Sequence, residues 1–209
     1  MSGARPILTV EHLGVSRGGR VLFSDLSFVL QPRCLITLNG RNGCGKTTLL
    51  DCISTIHRPS QGRIECNARR IARFPQNRAG FWNLTVSESI FVCLSEMSNA
   101  KALLGLTYSK ATLKRKVEQC LIAVDLKDQA DQEVYKLSGG MLQRLKFAQV
   151  LATDSDLVLL DEPFNDLDTL STARECDIIR QILTKSAVVL VTHTHPPGIP
   201  EGQEISIEN

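Results

Sequence analysis

Three stretches of this chain have residue types and spacings suited to chemistry on a phosphate. The first, Gly40-Arg41-Asn42-Gly43-Cys44-Gly45-Lys46-Thr47, fits GxxxxGK[ST] at every fixed position. Glycines there let backbone N–H groups curl around a β-phosphate where a Cβ would obstruct the approach. A helix opening near Lys46 would turn its positive end toward the same anion. Lys46 would neutralise β/γ oxygens and the Thr47 hydroxyl would be a Mg2+ ligand, with Thr48 next in the phosphate-binding set. The second stretch is Leu157-Val158-Leu159-Leu160-Asp161-Glu162, two acids directly after four apolar residues. Carboxyl ends of parallel strands open into a ligand crevice. Asp161 is thus placed to hold Mg2+, directly or through water, and Glu162 to polarise the water attacking the γ-phosphorus. Alone, such a pair is more often a solvated loop or a helix cap; the phosphate loop upstream gives it weight. The third is Leu137-Ser138-Gly139-Gly140-Met141-Leu142-Gln143-Arg144. A Ser and two Gly before a helix beginning near Met141 make a second anion-binding N-terminus. One nucleotide does not need two such nests from one chain. A head-to-tail dimer solves this, each chain offering Ser138–Gly140 to the γ-phosphate held by the other's Lys46.

The elements that must position these residues follow from the apolar pattern. Residues 7–10 and 21–30 flank the turn Arg17-Gly18-Gly19-Arg20 and read as an antiparallel, hairpin-rich start. Cys34 to Leu38 is a short apolar run bounded by Pro32 and Asn39-Gly40, a buried strand feeding the phosphate loop. After the helix from Lys46, a turn at 59–62 leads to a brief strand over 63–66, with another at 71–75. From about Thr85 to Gln149 the pattern is helical. Thr85 and Glu88 offer a capping box, and Val117, Cys120, Leu121 and Val124 recur at helical spacing. Leu157 to Leu160 is a buried strand, 171–184 a helix, and Ala187 to Val191 the last buried strand. Strands separated by helices predict an α/β fold: a P-loop NTPase core with a mostly parallel sheet, an antiparallel N-terminal β-subdomain and an inserted α-helical subdomain.

Size and composition fit this. A chain of 209 residues predicts one α/β domain, the core spanning about 1–80 and 150–209 and the helical insertion about 81–149. The formal net charge is +2, so bulk electrostatics indicates no polyanion partner such as nucleic acid. The seven cysteines form no CxxC pair and read as reduced thiols, most of them small buried hydrophobes. The first residues lack a secretory pattern, and no apolar run approaches the ~20 residues of a membrane span.

Taken together, the motifs resemble the ABC ATPase family over nearly the whole chain. LSGGMLQR is similar to the family signature LSGGQ-x-QR, and LLDEP to its Walker B strand with the catalytic Glu. The resemblance implies that Gln76 is the Q-loop glutamine reaching Mg2+ and the attacking water, that Asn165-Asp166-Leu167-Asp168 is the D-loop, and that His193, after Val188 to Thr192, senses the γ-phosphate. His195 is a nearby decoy. It further implies an ATPase with ATP and Mg2+ as ligands and a second ABC ATPase subunit as partner, either an identical chain or a paralogue. Membrane-spanning permease subunits would hold the chain at the cytoplasmic face of the inner membrane. A coupling helix would enter near Gln76 and residues 77–95, where Phe81, Trp82 and Phe91 are candidate contacts, with core packing the other reading of Phe91. The sequence departs from the pattern at three places. Arg17 stands near the position of an aromatic that stacks on adenine, Met141 replaces a signature Gln, and Pro32-Arg33 replaces a Pro-Gly turn. In overall build the chain is similar to small haem-exporter ATPases of cytochrome c maturation and, over Arg73 to Val86, to zinc/manganese-type importers. A soluble ABC ATPase of iron–sulfur assembly is the alternative.

Overall fold

The computed structural model describes residues 5–74, 82–102, 109–165, 169–193 and 197–207. Two compact units divide the chain, one of residues 1–73, 155–165 and 179–209, the other of 74–154 and 166–178.

In the first unit, strands β1 (Leu8–Arg17) and β2 (Arg20–Leu30) form an antiparallel hairpin. Gly18 and Gly19 close it with φ of 59° and 80°, a conformation open to glycine without a Cβ clash. The remaining strands are β3 (Leu35–Asn39), β4 (Gln61–Cys66), β5 (Ile71–Arg73), β6 (Leu157–Asp161), β7 (Ala187–Val191) and β8 (Gln203–Ser206). β4 pairs with the other edge of β1, giving an antiparallel sheet in the order β2-β1-β4. Its alternate residues Leu8, Val10, Leu13, Val15, Phe23, Phe28 and Leu30 are buried and share one core with Ile36, Leu38, Leu49, Leu50 and Val189.

The second sheet has the order β5-β6-β7-β3-β8, and every pairing in it is parallel. β6 and β7 are buried at all five positions, as their continuous apolar sequences require. β8 is a strand that the apolar pattern misses, because Gln203, Glu204 and Ser206 are exposed. Pairing with β3 creates it, with Ile205 opposite Leu38 and Ile207 buried beyond.

The second unit is built on α2 (Val86–Ala102), α3 (Lys110–Ala123), α4 (Gly139–Ala152) and the front of α5 (Thr169–Leu183), whose rear belongs to the first unit. The capping box before α2 is formed: Thr85 N donates to Glu88 Oε2 at 2.8 Å, and Glu88 N donates to Thr85 Oγ1 at 3.2 Å. α3 buries Val117, Cys120 and Leu121 of the expected stripe together with Leu113, and Val124 of that stripe is buried as its C-cap. This unit reaches beyond the 81–149 expected for a helical insertion. Phe74 joins it by packing on Phe147 of α4, ring centroids 4.9 Å apart, and Arg174 of α5 pairs with Asp125 at 3.3 Å. α1 (Lys46–Ile53) follows the phosphate loop in the first unit.

The cysteines are free thiols, with Cys44, Cys52, Cys120 and Cys176 buried. Among the described residues no helix is long and apolar enough to cross a membrane.

Candidate functional site: a phosphate loop with its acids and histidine

Parallel pairing gathers the site at one edge of the sheet. Val191 lies beside Leu38 on one side and Asp161 on the other. The loop after β3, the acids ending β6 and the histidine following β7 therefore leave from neighbouring strand ends.

The loop of residues 40–47 depends on its glycines for two different reasons. Gly45 is the N-cap of α1 at φ 104°, and a Cβ there would meet Leu22 Cβ and Phe23 Cδ1 at 3.0 Å. A Cβ on Gly40 would stand 2.7 Å from both the Cys44 sulfur and the Ile207 carbonyl oxygen. The loop is therefore pinned against β2 and the C-terminal segment, leaving Arg41, Asn42 and Gly43 exposed. Lys46 is buried, and its ammonium donates to the carbonyls of Gly40 at 2.8 Å and Arg41 at 3.0 Å. Held this way, the ammonium lies within the curl of the loop's own backbone. Thr48 is buried and Thr47 exposed, so the Thr47 hydroxyl is the one that faces outward from the helix start.

Thr47 Oγ1 donates to Asp161 Oδ2 at 2.9 Å. Burial pushes the Asp161 carboxyl up, and the Thr47 hydrogen bond pulls it partly back. Two hard oxygens thus converge, one on a carboxylate short of solvation, and such a donor set fits Mg2+. Glu162 follows at φ 50°, a left-handed conformation that is costly for a residue with a Cβ. Its N–H donates to the Val191 carbonyl at 3.0 Å, which holds the turn in place. Its Oε1 lies 2.8 Å from His193 Nε2. Burial raises the Glu162 carboxyl, while the charges of His193 and Lys46 oppose that rise. A carboxylate made more basic by desolvation and oriented by an imidazole has the character of a general base.

Ser138, Gly139 and Gly140 lie in the second unit. The sequence placed the helix start near Met141; the structure starts α4 at Gly139, with Ser138 as N-cap accepting from Met141 N at 3.3 Å. The correction follows from the cap, because the serine oxygen takes up an amide three residues on and draws both glycines into the first turn. A Cβ at either glycine would meet nothing within 4 Å. Packing in this chain therefore gives no reason for two residues that each weaken a helix. Gln76, Asp168, Phe81 and His195 lie outside the described residues. Arg17 is exposed at the end of β1, and Arg33 occupies φ 60° where the related turn carries Gly. Phe91 is 38% exposed on α2, so the core reading of that residue does not hold.

The family model described as ABC transporter matches residues 23–165, well over half of the chain. The chain belongs to the ABC transporter family. Within it the chain corresponds to the ATP-binding subunit. It is 34% identical over 198 residues to the taurine import ATP-binding protein TauB of Pseudomonas aeruginosa, spanning 90% of this chain and 73% of that protein. It is 31% identical to the Fe(3+) ions import ATP-binding protein FbpC of Agrobacterium fabrum over 88% of this chain, but spans only 53% of that longer protein. Among solved structures, a transporter of metal-chelate ABC type in an inward-facing conformation superimposes with a TM-score of 0.78 at 30% identity, covering 91% of this chain and 74% of that one.

The ion pair of Arg73 with Asp51 escaped the sequence reading.

Proposed function

We propose that the chain binds Mg-ATP and hydrolyses it to drive transport through separate membrane-spanning subunits. The observation that carries this reading is the Glu162–His193 contact of 2.8 Å beside the Thr47–Asp161 pair of 2.9 Å, one strand from the phosphate loop. The loop amides and Lys46 bind the β- and γ-phosphates. Thr47 and Asp161 would hold Mg2+, which supplies charge neutralisation at the phosphate oxygens. Glu162 takes the proton of the attacking water as its oxygen approaches the γ-phosphorus, and His193 keeps the Glu162 carboxylate turned toward that water. Gln76 would orient the same water from the segment following β5, and Asp168 would stand at the nucleotide from the segment before α5. Ser138, Gly139 and Gly140 would complete the site of a second subunit, identical or paralogous; in support, a Cβ at either glycine would meet nothing within 4 Å, so the first turn of α4 is open.

Cargo and direction belong to the permease in this scheme. Relatives named for ferric ions, taurine and spermidine/putrescine match the chain at 31%, 34% and 30% identity. Cargo chemistry that varied at constant similarity is read elsewhere. All three names are those of importers, which favours import over the haem-export resemblance.

The test is Glu162→Gln. Nucleotide binding should persist while phosphate release falls by about 10²–10⁴, and ATP should convert the variant to a dimer on gel filtration. Recovery of the wild-type chain with membrane proteins from detergent extracts checks the transport part. Full turnover by the variant overturns the catalytic assignment, and recovery with soluble partners alone overturns the transport assignment.

A further inference from the structure

A part-buried ion pair stands beside the Thr47–Asp161 contact. Arg73, the last residue of β5, donates through Nη1 to Asp51 Oδ1 of α1, and the two side chains are only 22% and 25% exposed. Asp51 is four residues after Thr47 in α1, one turn along the same face of the helix. Arg73 lies opposite Leu159 in the parallel pairing of β5 with β6, two residues before Asp161. The pair thus backs the acid from the helix side and the strand side at once.

We propose that Arg73 is a positioning residue for the cation site, its guanidinium opposing a divalent cation on Thr47 and Asp161 while Asp51 offsets that opposition. The pair would set how firmly the cation is held without touching it. This rests on Thr47 and Asp161 holding the cation, as proposed above. A salt bridge largely shielded from solvent is only partly screened, so its two charges act on the cation with opposite signs and offset each other. Removing either one leaves the other unbalanced.

The test measures Mn2+ binding by electron paramagnetic resonance, using the full chain with a non-hydrolysable ATP analogue at fixed pH and ionic strength. Asp51→Asn should weaken Mn2+ binding roughly tenfold, and Arg73→Met should strengthen it by a similar factor. The double variant should return to within about threefold of the wild type. Metal-free ADP provides the readout that a structural role would not separate. An anion should respond with the opposite sign or not at all, whereas a distorted site would weaken both ligands together. Asp161→Asn tells the two levels apart. If it binds Mn2+ like the wild type, the cation site and this proposal both fall. If it loses Mn2+ while the Asp51 and Arg73 variants do not shift, only this proposal falls. Should Asp51→Asn not fold, the comparison of Arg73→Met with the double variant decides, together with Arg73→Lys, which keeps the charge and should bind like the wild type.

Discussion

Replacement of Glu175 in α5 should raise stability in a pH-dependent way. Glu175 is 1% exposed, and among the described residues neither carboxylate oxygen has a hydrogen-bond partner. Burial dominates its ionisation; the charges of Arg144 and Lys146 of α4 favour the carboxylate, but Arg144 is already paired with Asp125 at 3.0 Å. The carboxyl is pushed up from an ordinary 4.5 to about 8. A raised acid holds its proton in the folded state while the unfolded chain releases it, so stability falls as pH rises from about 4.5 to about 8. With about 1.4 kcal/mol for each pH unit of separation, the cost is about 1 kcal/mol at pH 5.5, 3 at pH 7 and 5 above pH 8. Glu175→Leu keeps the approximate volume and removes the ionisation. Ile178, Ile179 and Ile182 are buried along the same helix, so an apolar side chain continues their stripe. Urea unfolding of both proteins at pH 5.5, 7 and 8.5 should give a stability gain that widens by roughly these amounts. A difference that stays constant with pH, or a variant less stable at all three, would refute the reasoning.

Gly140→Ala should raise stability by roughly 0.5–1 kcal/mol, since the added Cβ meets nothing within 4 Å; ATPase activity should nevertheless fall, which parallel melting and turnover assays would reveal. In His193→Ala one of the two charges opposing the rise of the Glu162 carboxyl is gone, so the acid limb of the single-turnover rate should move to higher pH and the plateau should fall. Arg33→Gly should raise the melting temperature, worth about 1 kcal/mol, because Arg33 sits at φ 60° where glycine has no Cβ to strain.

The phosphate loop, the acids after β6 and the histidine after β7 were legible because each is a local pattern: fixed glycine spacing, or a polar residue at the end of a continuous apolar run. The capping box of Thr85 and Glu88 was legible for the same reason, its two hydrogen bonds joining residues three apart. The start of α4 was set two residues late, because the glycine pair reads as a turn until the Ser138 cap fixes it as helix. Glu175 was legible in principle, as an acid three residues before Ile178 on an apolar stripe.

The sequence alone therefore determined the chemistry of the site, since backbone amides at glycines, an ammonium, two carboxylates and an imidazole are properties of residue type and short spacing. Only the tertiary structure decided which of them meet. Strand order places Val191 between Leu38 and Asp161, and β8 exists only because β3 offers it an edge. Arg73 and Asp51, 22 residues apart, become one pair beside the Thr47–Asp161 contact. Parallel strands joined through long connections bring distant residues together by sheet order, and sheet order leaves no periodicity in the sequence to read.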